Sequence, residues 1–367
     1  MKIAIGIFTY FPFGGLQRDM KNIALELAHR GEEVTIYTGK WADETFPEGI
    51  RIEILPVSGW SNHAKALDFA RKFHAAASGA EVKIAFNRFG GCDFYFAADD
   101  CFLAELERKK GSTLLRYLGR YRTFSALEKE IFSPRTDTKI FYISERQKTQ
   151  FQACYGTPEE RFIYLGPGVA DHLTVPDAQQ RHICRNKLGV KEDQLLCLFV
   201  AANWQLKGGD RALEAFARLP EQIRQHIQLH FAGGDGRGAA RKKATELGIE
   251  AFCHFHGPQQ DVSSFYFAAD VLVHPARKEA AGNVIAESLA CAVPVICSGI
   301  CGFADLVTKS GAGIVLPEPF CMEELLHAWQ QWYTNRTAFA ELAHSARKRV
   351  ALYGRAQQAA DAVLKRS

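Results

Sequence analysis

Glu279-Ala280-Ala281-Gly282-Asn283-Val284-Ile285-Ala286-Glu287 follows the short apolar run Val271–His274 and leads into Ala290-Cys291-Ala292-Val293-Pro294-Val295. The run reads as a buried strand, and the pattern Asn283–Cys291 as a helix beginning near Gly282. A strand that passes through a small-residue turn into a helix start is the repeating unit of a parallel sheet covered on both faces. The same rhythm extends outward from this stretch. Leu195–Ala201, His226–Ala232, Phe252–His256 and Pro294–Cys297 read as further strands, with helical patterns such as Asp210–Leu219 between them. Earlier in the chain Ile3–Tyr10, Val34–Thr38, Glu81–Phe86 and Lys139–Ile143 form a first series, and Gly31 fits a helix stop before the second of them. Gly166-Pro167-Gly168 separates the two series. The expected fold class is therefore α/β, with two Rossmann-like domains facing one another.

Bulk properties agree with two domains. The chain has 367 residues, against a prior of roughly 150 per domain. A formal net charge of +4 argues neither for nor against nucleic acid, and no pattern in the chain calls for it as a partner. Met1-Lys2 before Ile3–Tyr10 resembles a short leader, but there is no small-residue cleavage site, so a first buried strand is the better reading. No stretch approaches the roughly 18 to 20 apolar residues that span a bilayer. The ten cysteines form no C-x-x-C pair, and most sit in apolar runs, as reduced thiols do in a reducing cytoplasm. Cys253-His254-Phe255-His256 places its ligand types on alternate strand positions without a second ligand pair, so no metal is expected.

In open parallel sheets, ligands lie beyond the carboxyl ends of the strands, where helix N-termini point. Three loops meet that condition. In the first, small residues at 280 to 282 leave the N–H groups of Ala281, Gly282 and Asn283 open to phosphate oxygens, and the positive helix end favours their charge. Glu279 can accept hydrogen bonds from sugar hydroxyls, and Glu287, about one and a half turns into the helix, can grip a ribose diol. Two solvated glutamates on a capped surface helix are the plainer alternative. In the second, Asn203-Trp204-Gln205-Leu206-Lys207-Gly208-Gly209-Asp210, the lysine can meet a diphosphate as a point charge or simply be solvated. In the third, Pro12-Phe13-Gly14-Gly15-Leu16-Gln17-Arg18-Asp19, two glycines allow close backbone approach. It lacks the full G-x-G-x-x-G fingerprint, which disfavours a nicotinamide cofactor. Phe231-Ala232-Gly233-Gly234 ends another strand on glycines.

The E-x₇-E segment with its Pro-containing tail, Lys207-Gly208 and the N-terminal glycine loop together resemble the retaining glycosyltransferases of the GT-B fold, family 4. Tyr10–Asp19, Asp93-Phe94-Tyr95-Phe96-Ala97-Ala98-Asp99 and His274-Pro275-Ala276 through Gly282 bring the resemblance nearer to the lipopolysaccharide core glucosyltransferases that act on the first heptose with UDP-glucose. That resemblance implies an N-terminal acceptor-binding domain over residues 1–165, with residues 345–367 packing back on it, and a nucleotide-sugar-binding domain over 166–344. It implies that Gly14, Gly15 and Asp19 line a cleft between donor and acceptor, with Asp99 on the acceptor side. Lys207 would neutralise the diphosphate, Glu279 would bind the glucose hydroxyls and Glu287 the ribose, making Glu279, Lys207 and Asp19 the catalytic set. It also implies retention by same-face attack, a UDP-sugar as co-substrate, and neither cofactor nor metal. Many relatives carry an arginine beside the lysine. Here Leu206 stands there, which leaves Arg211 or another cation to contribute.

Residues 108 to 127 hold Arg108, Lys109, Lys110, Arg116, Arg120 and Arg122 with no acidic residue, and Tyr117, Tyr121 and several leucines interleave at helical spacing. A basic amphipathic helix of this kind suits an anionic inner-membrane surface; the plainer alternative is that its apolar stripe packs on its own domain. A lipid-linked lipopolysaccharide core acceptor at the cytoplasmic face would give such a peripheral surface a use. Two other readings stay open: a nucleotide-sugar epimerase of the same fold, acting on donor alone, and a non-catalytic membrane scaffold.

Overall fold

The computed structural model describes residues 1–12, 15–42, 49–107, 114, 117–170, 172–234, 237–350 and 354–365. The chain divides into two compact units, Met1–Gly166 with Tyr353–Ser367, and Pro167–Leu352.

The first unit holds β1 (Lys2–Ile7), β2 (Glu33–Thr38), β3 (Ile50–Ile54), β4 (Val82–Ala85), β5 (Phe94–Ala97), β6 (Lys139–Tyr142) and β7 (Phe162–Tyr164). They form one sheet in the order β3-β2-β1-β4-β5-β6-β7, and its pairings are parallel. β1 and β2 are buried at five of six positions, as expected for strands covered on both faces. Phe69, Phe73, Phe132 and Phe151 fill one side of this sheet, the last two rings stacked with centroids 3.7 Å apart.

The second unit holds β8 (Leu195–Val200), β9 (Ile227–Ala232), β10 (Cys253–Gly257), β11 (Val271–His274), β12 (Val295–Ser298) and β13 (Gly313–Leu316), in the order β10-β9-β8-β11-β12-β13 and again parallel. Leu198 faces one core cluster with Ile285 and Leu289, while its neighbour Phe199 faces the other with Phe216 and Trp329. That alternation is the two-residue period of a strand between two helical layers. In each unit strand order reverses direction once, between β1 and β4 and between β8 and β11. These are the switch points where a parallel sheet opens a ligand crevice.

Two expectations change. The helix read across 108–127 is, among the described residues, Gly119–Phe132, and Leu118 caps it. Its Leu127, Ile131 and Phe132 are buried, and Tyr121 and Phe124 lie against Phe102 with ring centroids 5.8 and 5.7 Å away. This stripe is therefore covered by its own unit, and the apolar residues left exposed precede the helix: Leu114, Tyr117 and Leu118. Arg108, Lys109, Lys110 and Arg116 lie outside the described residues, as does Gly14. The second change concerns strands: β3, β5, β7 and β13 are additional to those read from apolar runs.

Candidate active site

β8 and β11 are neighbours at the second unit's switch point, and the loops leaving their carboxyl ends carry Lys207 and Glu279. After β8 the chain turns through Asn203, whose side-chain oxygen accepts from the Leu206 amide at 2.8 Å. It enters the helix Gly209–Arg218 through Gly208, at φ +80°. A Cβ at Gly208 would fall 2.0 Å from the Pro275 carbonyl oxygen, so glycine is required for the two loops to lie this close. After β11 the chain passes Glu279 and enters the helix Asn283–Ala290 through Gly282, also left-handed at φ +91°. The Phe303 amide donates to Ala281 O at 2.7 Å and holds that turn.

The two loops meet in an ion pair. Lys207 Nζ lies 2.7 Å from Glu279 Oε2 and also donates to Lys278 O at 3.1 Å. His274, the last residue of β11 and 1% exposed, brings Nε2 within 3.2 Å of the same Glu279 oxygen. An ionised carboxylate only accepts, so this contact puts the proton on His274 Nε2. His274 Nδ1 is buried without a hydrogen-bond partner among the described residues. Burial pushes the Glu279 carboxyl up, but the His274 hydrogen bond and the Lys207 ammonium outweigh it and bring it down to about 2. Glu279 is thus a firmly ionised acceptor, and it keeps part of its surface open. Glu287 is buried, and its Oε2 accepts from Tyr266 Oη at 2.8 Å.

A clamp that no local pattern announces holds the two loops in register. Arg277 spans them: NH1 and NH2 reach the Asp210 carboxylate at 2.6 and 2.7 Å, and NH1 also donates to Gln205 O at 2.8 Å. Its amide donates to Leu206 O at 2.9 Å. Arg211 is committed elsewhere. It donates to Pro275 O and Ala276 O at 3.1 and 3.3 Å and lies 3.7 Å over the Phe320 ring. The guanidinium of Arg277 thus reaches the loop that carries Lys207 at Gln205 and Asp210, and the Arg277 backbone amide meets Leu206.

The first unit treats its charges differently. Gly15 starts the helix Gly15–His29, and an added Cβ there would meet nothing within 4 Å. Asp19, four residues on, is buried and paired with Arg355 NH1, while Arg355 Nε donates to Gly166 O at 3.0 Å. Its carboxylate thus joins the first helix to the last helix, Arg355–Leu364. Asp99 is 73% exposed at its side chain, with Arg88 NH1 3.7 Å away. Arg88 Nε also meets the fully buried Glu128 at 3.1 Å. Glu128 accepts from the Phe102 and Leu103 amides and from Tyr155 Oη. Sequence reading misses Glu128, because only the fold brings those partners to it. His254 and His256 pack beside His230 within the second sheet, and no group of metal-ligating residues is assembled among the described residues.

A charged pair at the switch point of one α/β unit, in a chain with two such units, fits the GT-B glycosyltransferases that the sequence resembles. Residues 180–351 match the family described as glycosyl transferases group 1. The lipopolysaccharide glucosyltransferase WaaG of Escherichia coli (strain K12) is 35% identical over 370 residues, spanning 99% of this chain and 98% of that protein. The crystal structure of WaaG, a glycosyltransferase involved in lipopolysaccharide biosynthesis, superposes with a TM-score of 0.89 over 98% of this chain and 99% of that one. A D-inositol 3-phosphate glycosyltransferase from Thermomonospora curvata is 28% identical, over 83% of this chain and 79% of that protein. The chain belongs to the WaaG family of glycosyltransferases.

Proposed function

We propose that this enzyme transfers glucose from UDP-glucose to a heptose of the lipopolysaccharide inner core, with retention at the anomeric carbon. The observation that carries the site is the 2.7 Å contact of Lys207 and Glu279 at the β8/β11 switch point. The full-length likeness to WaaG supports the choice of donor and acceptor. In this reading Lys207 and the amides of Ala281, Gly282 and Asn283 take the diphosphate charge as the bond from C1 to the phosphate oxygen breaks, which is where charge stabilisation lowers the barrier most. Glu279, held ionised by His274 and Lys207, accepts from the glucose hydroxyls, and Glu287 from the ribose. The acceptor hydroxyl oxygen bonds C1 on the face the phosphate leaves, and the leaving phosphate takes its proton. By the resemblance, Gly15 is assigned to the donor and Asp99 to the acceptor. Asp19 acts through Arg355, fixing the helix that Gly15 begins.

The enzyme would work as a peripheral protein on the cytoplasmic face of the inner membrane. Among the described residues no helix is long and apolar enough to cross it. The exposed Leu114, Tyr117 and Leu118 beside Arg120 and Arg122 support surface attachment. A donor-panel assay on lipopolysaccharide truncated to its heptoses tests the function. Wild type should prefer UDP-glucose, and Glu279→Ala and Lys207→Ala should each lose more than about 100-fold in rate. Near-wild-type rates for both variants would remove the site assignment, and isomerised sugar formed without acceptor would point to an epimerase.

A further inference from the structure

Trp60 is 106% exposed relative to a free residue, the largest value among the exposed hydrophobic side chains of the described residues. A ring left wholly in water forgoes a large apolar burial that a partner outside the chain would recover. The segment is not a loose end. Ser61 caps the helix Asn62–Ala76 by accepting from the Ala64 amide at 3.2 Å, and Ser58 is bonded to Asp68 through its amide and its hydroxyl. This helix start abuts another. A Cβ at Gly119 would lie 3.5 Å from His63 Nε2, so the helices beginning at Asn62 and Gly119 touch at their N-termini. The residues just before each start are the exposed ones: Trp60 on one side, Tyr117 and Leu118 on the other, with Leu114 one turn further back. Arg120 and Arg122 are exposed on the first turn beyond.

We infer that Trp60 is a second anchor, inserted at the headgroup level of an anionic bilayer beside the entry to the helix Gly119–Phe132. An indole suits that depth, because its ring is apolar and its N–H stays within reach of headgroups and water. The neighbouring guanidinium groups supply the attraction to anionic lipid that a protein-binding aromatic would not need. Two apolar points from separate chain segments would also fix the orientation of the first unit on the surface, which a single segment does not. This inference rests on the peripheral-membrane reading above.

The five tryptophans make the test direct. Trp204, Trp329 and Trp332 are buried, and Trp41 is stacked on Tyr10 at 3.8 Å, so bromine-labelled lipid reports on Trp60. The full chain is mixed with vesicles of phosphatidylglycerol and brominated phosphatidylcholine, and tryptophan fluorescence and vesicle pelleting are both measured. Fluorescence of the wild type should be quenched, Trp60→Phe should still pellet but lose the quenching, and Trp60→Ala should partition about tenfold more weakly, the scale for one partly buried ring. UDP-dependent activity on a soluble acceptor should be unchanged in both. Pelleting without quenching would overturn the role of Trp60 and leave the membrane reading intact. Failure to pellet with anionic vesicles would overturn both.

Discussion

Asp19 and Lys207 stand at comparable places. Each follows the first strand of a parallel sheet, at the switch point of its unit and near the start of a helix. Asp19 is folded inward and paired with an arginine 336 residues away. Lys207 stays at the strand ends, partly exposed, facing a carboxylate from the neighbouring loop. What separates them is the fate of the partner. Arg355 is buried and also donates from Nε to Gly166 O, so the pair ties together segments of the first unit. Glu279 keeps open surface and a second polar neighbour, so its pair can exchange contacts with a ligand. Topology thus picks out the loops, and burial of the partner decides which charge is structural and which is available.

Breaking the structural pair should show the largest effect on stability. Asp19→Asn or Arg355→Met leaves one buried group uncompensated, and each should cost about 3 to 5 kcal/mol in the denaturant unfolding of the first unit. A loss below about 1 kcal/mol would mean that Asp19 is not committed as the structure has it. The Arg277–Asp210 fork is partly exposed, so its removal should cost under about 1 kcal/mol of stability. It aligns the two catalytic loops, however. Arg277→Ala should lower kcat/KM for the donor about tenfold, and the exchange Arg277→Asp with Asp210→Arg should recover part of it. Equal loss of stability and activity, without recovery, would reduce the fork to packing.

A pH-dependent effect belongs to the histidines of the second sheet. Burial, then the closeness of His254 and His256, hold His230 down to about 3, and burial lowers His254 and His256 as well. The unfolded chain takes up protons on these rings below about pH 6.5, while the folded unit refuses them. Stability should therefore fall as pH drops from about 6.5 toward 3, by about 1.4 kcal/mol per pH unit for His230 alone. Urea unfolding of wild type and His230→Gln at pH 7 and pH 5 checks this, the variant showing the shallower dependence.

The contrast between the two loops also marks how far the sequence is legible. Val271–His274 is recovered residue for residue, and the helix after Gly282 begins where its small residues suggest, because a strand buried on both faces is a continuous apolar run. β3 escapes that reading because it is a sheet edge that alternates, as IRIEI, and β7 and β13 are half-exposed edge strands of three and four residues. Glu279 and Lys207 were visible because strand ends and helix starts are local features. The partners of Asp19, Glu128 and Asp210 were not, since each comes from a distant segment that only the folded chain brings near. The basic stretch 108–127 shows the same limit: its periodicity is real, but the covering of Tyr121 and Phe124 by Phe102 depends on a neighbouring helix.

The most direct measurement is a calorimetric titration of UDP into the wild type, Lys207→Ala and Asp19→Asn, each below its unfolding temperature. Lys207→Ala should weaken UDP binding by about tenfold or more, the value of one charge-assisted contact, while Asp19→Asn stays within about twofold of wild type. Unchanged affinity in Lys207→Ala, or a loss confined to Asp19→Asn, would contradict a donor site built on the β8/β11 switch point.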